Sequence, residues 1–101
     1  METLLRTLGE EKRCEIIRLV WSKELPASII AAHFPEVTRS AISQHLGVLR
    51  RAGLVAERRN GVQRLYRVNQ KEVERLRTFL DSFWTDRLQR LQELAESIER
   101  A

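Results

Sequence analysis

Thiol and imidazole groups, which carry much nucleophilic catalysis and soft-metal binding, occur three times in the sequence, at Cys14, His33 and His45. Each falls in a different predicted helix, and more than ten residues separate any two of them. A metal site or a catalytic set needs such groups at close spacing, and no phosphate-binding loop is visible either. We therefore expect no enzyme, no metal site and no cofactor. The histidines are predicted to be structural and Cys14 to pack, with redox sensing by its thiol left open.

Residues 38–55, TRSAISQHLGVLRRAGLV, offer a different chemistry, that of a small polar surface. Ile42, Leu46 and Leu49 recur at helical spacing, which predicts a helix with this side buried. The opposite side carries serine, glutamine and glycine, so a DNA groove can approach it closely, and the Gln44 amide can pair with an adenine edge. The residues of this segment that we expect to contact DNA are Thr38, Arg39, Ser40, Ser43, Gln44, Gly47, Arg50 and Arg51.

Positive charge is concentrated in the same part of the chain. Residues 38–68 hold seven arginines and one acid, Glu57, for a local net charge of +6, whereas the remaining residues sum to −2. Such a concentration is typical of a surface that faces a polyanion. Charge alone leaves open a face that is only solvated.

A β-hairpin is predicted directly after this helix, in LVAERRNGVQRLYRV at residues 54–68. Asn60-Gly61 lies between two β-prone runs and predicts a two-residue type I′ turn, which needs positive φ at both positions. This register places Glu57 opposite Arg64 as a cross-strand ion pair. The hairpin arginines that we expect to contact the phosphate backbone or the minor groove are Arg58 and Arg59 at the hairpin tip, with Arg64 or Arg67 beside them.

The elements that must position these surfaces have recognisable boundaries. Pro26 suits a first helical turn and opens a short helix that Pro35 closes. Thr38 is a natural N-cap for the helix that follows, and Gly53 is its predicted C′ residue. A short helix joined tightly to a second one, followed by a hairpin, predicts a winged helix-turn-helix.

Two further helical segments flank this unit. Apolar residues predict helical structure over residues 2–23, with a break near Gly9. Asn69 and Glu72 form a predicted capping box before a helix over residues 70–100, with a turn or break near Asp81.

We therefore predict one mainly α domain over residues 1–101 with a small β-hairpin wing. Its segments are an N-terminal dimerisation and core helix (1–23), the helix-turn-helix (26–52), the wing (54–68) and a C-terminal dimerisation helix (70–100).

The two terminal helices carry more apolar surface than one small core can cover. Pairing of these helices across a two-fold axis would bury it, and packing of the last helix along its own domain is the alternative. The residues that we predict to form the dimer interface are Leu4, Leu5, Leu8, Phe79, Phe83, Trp84, Leu88, Leu91 and Leu94.

SAISQHLGVLRRAGLV followed by ERRNGVQRLYRV resembles the ArsR/SmtB family of winged-helix repressors, and FLDSFWTDRLQRLQELAE resembles a metal-independent branch of it. The resemblance implies a homodimer that binds an inverted-repeat operator and represses transcription. Pro26 and Ser28 stand where metal-sensing members carry two cysteines. Asp81 remains at a second family site, but Phe83 replaces the histidine there. The resemblance thus implies a repressor without the family's metal sites.

Two functions are compatible with these features. The first is a sequence-specific homodimeric repressor on a palindrome in double-stranded DNA, and the alternative is a winged-helix module that binds an acidic protein. Arg39, Gln44 and the wing arginines favour DNA. The lone cysteine fits a reducing cytoplasm, and no apolar run reaches the 18 residues of a membrane span. The signal stays open between a small-molecule effector at the dimer interface, thiol oxidation and the protein's own abundance.

Overall fold

A computed structural model describes residues 1–100, and Ala101, the last residue of the predicted domain, lies outside the described residues. The elements follow the predicted order, with one short strand added. They are α1 (Glu2–Leu8), α2 (Glu11–Leu19), β1 (Leu25–Pro26), α3 (Ala27–Ala32), α4 (Arg39–Arg51), β2 (Val55–Asn60), β3 (Gln63–Val68) and α5 (Gln70–Arg100). The strands form one antiparallel sheet in the order β1-β3-β2.

The first helical segment breaks where the sequence predicts. The N–H of Gly9 still donates to the Arg6 carbonyl, but Glu10 is extended, at φ −100° and ψ 123°, so α2 starts afresh after it. The second helix ends at Leu19, four residues before the predicted boundary.

The interpretation of Pro26 as a residue of the first helical turn is wrong. Leu25 and Pro26 form β1, which pairs with Tyr66 and Leu65 of β3, and Pro26 is then the N-cap of α3 with an extended ψ of 152°. Proline suits this place because an edge strand does not need its missing N–H. The short strand joins the helix-turn-helix directly to the wing.

The core lies where the helices meet this sheet. Its fully buried side chains come from the three helices α2, α3 and α4 and from the connections that follow α2 and α4. They are Ile16, Val20, Ile30, Ile42, Leu46, Leu49 and Leu54. Each aliphatic side chain of this size contributes roughly 1.5–3 kcal/mol when it is fully buried. The stripe of α4 therefore anchors that helix firmly.

The hairpin turn lies one residue later than predicted. Asn60 pairs with Gln63, so the turn is Gly61-Val62, and only Gly61 takes a positive φ, of 65°. Each strand partner consequently shifts by two positions, which keeps every side chain on its predicted face. The shifted register sets Val55 against Val68, and both are buried.

The last helix is continuous through the predicted break near Asp81. Arg77 and Asp81, one turn apart, approach to 3.9 Å within the uninterrupted α5. Its first three turns pack on the core through Leu76, with Val73 and Leu80 partly buried. All of residues 81–100 are exposed, and the protein is 69 Å long as a result.

Candidate nucleic-acid interface

Both ends of α4 are fixed by local hydrogen bonds. The Thr38 hydroxyl accepts from the Ala41 N–H at 3.1 Å, which confirms Thr38 as the N-cap. At the other end, Gly53 takes a φ of 80° and its N–H donates to the Arg50 carbonyl at 3.0 Å. Left-handed backbone there favours glycine and ends the helix as predicted. The helix thus has defined limits before it contacts any ligand.

The two sides of α4 differ sharply in exposure. The apolar stripe of Ile42, Leu46 and Leu49 is at most 1% exposed, whereas the predicted reading face points to solvent. The exposed residues of that face are Thr38, Arg39, Ser40, Ser43, Gln44, Arg50 and Arg51. A helix held by its apolar side presents its polar side rigidly, as insertion into a groove requires.

Gly47 has a more specific environment than open solvent. A Cβ at this position would lie 3.3 Å from Nη1 of Arg51, one turn further along the helix. The missing side chain therefore leaves room for the Arg51 guanidinium to lie against α4. The close approach of DNA that the sequence predicts at Gly47 would therefore occur beside this guanidinium.

Arg13 of α2 connects α4 to α1 through two hydrogen bonds. The Arg13 Nε donates to Nδ1 of His45 at 3.2 Å, and the same guanidinium donates to the Thr7 carbonyl at 3.3 Å. His45 thus has the structural role that the sequence suggested. The contact also links the end of α1 to the centre of α4.

A second contact fixes the connection between α3 and α4. The Lys12 ammonium donates to Glu36 at 2.8 Å and lies 5.3 Å from the ring centre of Phe34, which is buried. This hydrogen bond raises the pKa of Lys12 and lowers the pKa of Glu36. The turn that sets the angle between the two helices is therefore anchored to α2.

The seven arginines of residues 38–68 fall into two groups. Arg50 and Arg64 share Glu57, at 3.4 and 3.6 Å, and Arg58 pairs with Glu24. The predicted Glu57–Arg64 ion pair thus forms, but diagonally, because Glu57 lies opposite Tyr66. The other four of these seven arginines have no carboxylate of residues 1–100 within 4.0 Å. These are Arg39, Arg51, Arg59 and Arg67.

The placement of Arg58 at the hairpin tip is wrong. Its guanidinium donates twice to the Glu24 carboxylate, at 2.6 and 3.0 Å, and the turn is formed by Gly61 and Val62. These hydrogen bonds lower the pKa of Glu24 and raise the pKa of Arg58. Sequence reasoning missed Glu24, since 34 residues separate the partners and no local pattern joins them.

The predicted dimer residues divide by burial. Leu4 is only 4% exposed because it packs in the core of its own chain, which corrects its assignment to an interface. Leu8 is partly buried against the same core, while Leu5 is 42% exposed. The α5 side chains of the prediction all face solvent. They are Phe79, Phe83, Trp84, Leu88, Leu91 and Leu94.

The residue at one of the family's metal positions, Phe83, and two of the other possible donors make contacts that involve no metal. Phe83 packs edge-on against Trp84, with ring centres 5.9 Å apart. The Cys14 thiol donates to the Leu8 carbonyl at 3.0 Å, and Nδ1 of His33 lies 2.9 Å from the Ile29 carbonyl. In the described chain, residues 1–100, no three His, Cys, Asp or Glu side chains come together as a metal site. Nor does any helix of these residues have the length and apolar character for crossing a bilayer.

Comparisons with known proteins agree with this geometry. The family described as "Bacterial regulatory protein, arsR family" matches residues 10–57. The HTH-type transcriptional regulator Rv2034 of Mycobacterium tuberculosis is 36% identical over 92 residues, which cover 91% of this chain and 85% of that protein.

Solved structures extend the similarity to the whole architecture. A crystal structure described as a possible transcriptional regulator for arsenical resistance is 46% identical, with a TM-score of 0.75 over 86% of this chain and 90% of that one. The homodimeric winged helix-turn-helix DNA-binding domain Mb0332 of Mycobacterium bovis is 25% identical, with a TM-score of 0.67 over 84% and 78%. The predicted fold class is confirmed. The chain belongs to the arsR family of bacterial regulatory proteins, and it is a DNA-binding transcriptional regulator rather than an enzyme.

Proposed function

We propose that this protein is a homodimeric repressor that reads an inverted-repeat operator with α4 and the wing, without the family's metal sites. The observation that carries the proposal is the small polar face of α4, which is exposed while the apolar stripe of the helix is sealed in the core. This helix also carries Arg39 and Arg51, which have no carboxylate of residues 1–100 within 4.0 Å. Occupation of promoter DNA by such a dimer would exclude polymerase. Because a bacterial chromosome lies in the cytoplasm, the protein would act there.

The reading face supports distinct roles along the helix. Thr38, Arg39 and Ser40 lie at the N-terminal end, where free N–H groups and the helix dipole favour phosphate. Gln44, one turn further on, can form a bidentate pair with adenine, and Ser43 beside it can contact either base type. Arg50 and Arg51 at the other end would bind phosphates that flank the base contacts.

The wing adds charge on one face of its hairpin. Arg59 and Arg64 are directly opposite each other in the strand register, so two positive side chains lie side by side. Like charges at this spacing repel, and a phosphate between them would remove the repulsion. We therefore assign the wing contact to Arg59 and Arg64.

We infer that the dimer interface is formed by the distal part of α5, residues 81–100. Trp84, Leu88, Leu91 and Ile98 recur with heptad-like spacing, and each is at least 59% exposed. A second copy packed along this stripe would bury it. The Mb0332 domain is homodimeric, which supports the same arrangement.

The two-fold symmetry of the dimer would determine the symmetry and half-site spacing of the operator. Two copies of α4 roughly 34 Å apart would enter successive major grooves on one side of the duplex. The preferred sequence would be a palindrome with half-site centres about 10–10.5 base pairs apart. Promoter fusion of that palindrome to a reporter should give lower expression when the protein is present. Higher expression would overturn the repressor assignment.

Selection of bound duplexes from random DNA, repeated with and without a chelator, tests the proposal. We expect enrichment of one palindrome under both conditions, because no metal takes part. Failure to enrich any sequence would contradict sequence-specific binding, and enrichment that the chelator abolishes would contradict metal independence.

A salt titration of the same complex tests the arginine assignment. If Arg39, Arg51, Arg59 and Arg64 of each subunit neutralise one phosphate each, the slope of log affinity against log salt should be about −7. Arg59→Gln should reduce its magnitude by about 2 and weaken operator and random DNA alike. Arg90→Gln on α5, also exposed, is the matched control and should leave the slope unchanged. An unchanged slope for Arg59→Gln would refute the wing contact.

A further inference from the structure

The ion pair between Glu24 and Arg58 crosses the whole sheet. Glu24 directly precedes β1, Arg58 is in β2, and β3 lies between the two strands. Leu65 of β3 is opposite both Pro26 of β1 and Arg58, so these three residues share one face of the sheet. Leu65 is only 9% exposed. The cross-sheet ion pair, as we call Glu24 and Arg58, therefore spans a buried side chain.

This ion pair lies at the outermost level of the hairpin that β1 reaches, because Arg58 and Pro26 both lie opposite Leu65. β1 contributes two residues, which pair only with Leu65 and Tyr66, while the hairpin continues past them to Gly61 and Val62. Nothing in the β1–β3 ladder holds that outer part of the hairpin. A side-chain contact from β2 to the segment before β1 adds a second, separate point of attachment.

The opposite face of the same hairpin carries the proposed DNA contacts. Side chains alternate along a strand, so Arg59 points away from Arg58, and Arg64 shares the face of Arg59 because the two are directly opposite. A change in the tilt of the hairpin would move both arginines relative to α4. Their reach to the backbone of DNA thus depends on what holds the other face.

We propose that Glu24 is a positioning residue, which holds Arg58 and so fixes the wing at the angle where Arg59 and Arg64 meet DNA while α4 is in the groove. The inference rests on the proposed DNA-binding function. It also gives Arg58 a role through Glu24 instead of a direct phosphate contact.

The direction in which Glu24→Gln changes DNA affinity distinguishes a positioning role from a simple electrostatic effect. A carboxylate near DNA repels phosphate, so Glu24→Gln should strengthen DNA binding if its charge is all that matters. Positioning gives the opposite result for the operator. An exposed ion pair adds little to folding stability, so the variant should keep its Tm and its circular dichroism spectrum.

The experiment compares operator and random-sequence affinities of the wild-type dimer with those of Glu24→Gln. We expect operator binding to weaken about tenfold, because each of the two subunits loses a contribution of roughly threefold, the size typical of an exposed ion pair. The salt slope should fall in magnitude by about 2, since each subunit loses a phosphate contact. Glu10→Gln, which removes an exposed carboxylate that forms no ion pair within residues 1–100, is the control and should not weaken binding. Operator binding by Glu24→Gln that equals or exceeds wild type overturns the inference.

Exchange of the two charges tests whether Arg58 acts through Glu24. Glu24→Arg with Arg58→Glu rebuilds the ion pair with reversed polarity, so operator affinity should return to within about twofold of wild type. Loss of binding by the folded exchange variant would mean that Arg58 contacts DNA itself, which overturns the inference.

A second cycle covers the case in which the exchanged chain does not fold. Glu24→Gln should have no further effect on operator affinity in an Arg58→Gln background, and an undiminished effect there overturns the inference. If wild type itself selects no operator, the proposed function fails. If wild type selects one that Glu24→Gln binds unchanged, only the positioning role fails.

Discussion

Two amphipathic helices of this protein, α4 and the distal part of α5, use the same sequence pattern in opposite ways. The apolar stripe of α4 is sealed in the core, with Leu46 at 1% exposure, whereas Leu91 on α5 is 62% exposed. Both stripes follow helical spacing, so periodicity alone does not distinguish them. The difference lies in what surrounds each helix. The sheet and α2 cover α4, while α5 continues beyond the end of its own domain.

The difference in burial indicates which surface each helix offers to a partner. A helix held by its apolar side offers only its polar side to a ligand, and for α4 that side is small, with cationic residues at both ends. A helix with a free apolar side gains most from a second apolar surface. We therefore expect changes on α4 to alter what the protein reads and changes on distal α5 to alter how many copies read it.

The largest expected effect comes from charge on the α5 stripe. Leu88→Glu together with Leu91→Glu should give a folded monomer, because neither side chain contributes to the core. Operator affinity should fall about 100-fold or more, since two linked half-site contacts become independent. Sedimentation and operator binding measure the two results. Gln89→Glu, a single exposed neighbour, should stay dimeric, and a double variant that stays dimeric would show that the α5 stripe does not form the interface.

Truncation within the two stripes should separate core from interface. In that monomeric background, Leu46→Ala should lower the free energy of unfolding by about 2–5 kcal/mol, because it leaves a cavity in a closed core. Leu94→Ala, on exposed α5, should change it by less than about 0.5 kcal/mol. Denaturant titration gives both numbers. Similar losses for the two variants would mean that distal α5 packs on its own domain, which was the alternative prediction.

On the polar face of α4, Gln44→Ala should weaken operator binding by about 1–3 kcal/mol and relax selection at one base pair of each half-site. Binding to random DNA and the dimer should be unaffected, because the side chain is exposed and makes no core contact. Gln89→Ala on α5 removes the same amide from the other helix and should do nothing. Equal weakening on operator and random DNA would exclude base reading by Gln44.

The smallest effect concerns how the two helices begin. Thr38→Ala should cost about 1 kcal/mol of stability, since the Ala41 N–H loses its side-chain acceptor, and Thr38→Ser should restore most of it. Asn69→Ala before α5 should cost less, because the Glu72 and Val73 N–H groups bond to the Asn69 backbone carbonyl. Thermal unfolding compares the variants. A larger loss at Asn69 would indicate a side-chain cap there, as in the capping box predicted from sequence.

Local signals were enough for α4. A cap, a buried stripe and a terminal glycine act within a few residues of one another, so the limits of the helix could be predicted from its own segment. The small polar face follows from the same spacing. The surplus of apolar residues on α5 was also visible, because it depends on counting and not on contacts.

Features that depend on distant partners could not be predicted. The wing register is set by burial of Val55 against Val68 and by the Asn69 N–H bond to the Leu54 carbonyl, and these outweigh the Asn60-Gly61 turn signal. β1 exists only because β3 supplies its partner. The Glu24–Arg58 contact likewise joins segments that have no common pattern.

The central claim is that two copies of α4, paired through α5, read one palindrome. Sedimentation of the protein with its selected duplex, followed by hydroxyl-radical footprinting, tests it most directly. We expect two chains per duplex and two protected stretches on one side of the DNA, about one helical turn apart. A single chain per duplex with one protected stretch would contradict it.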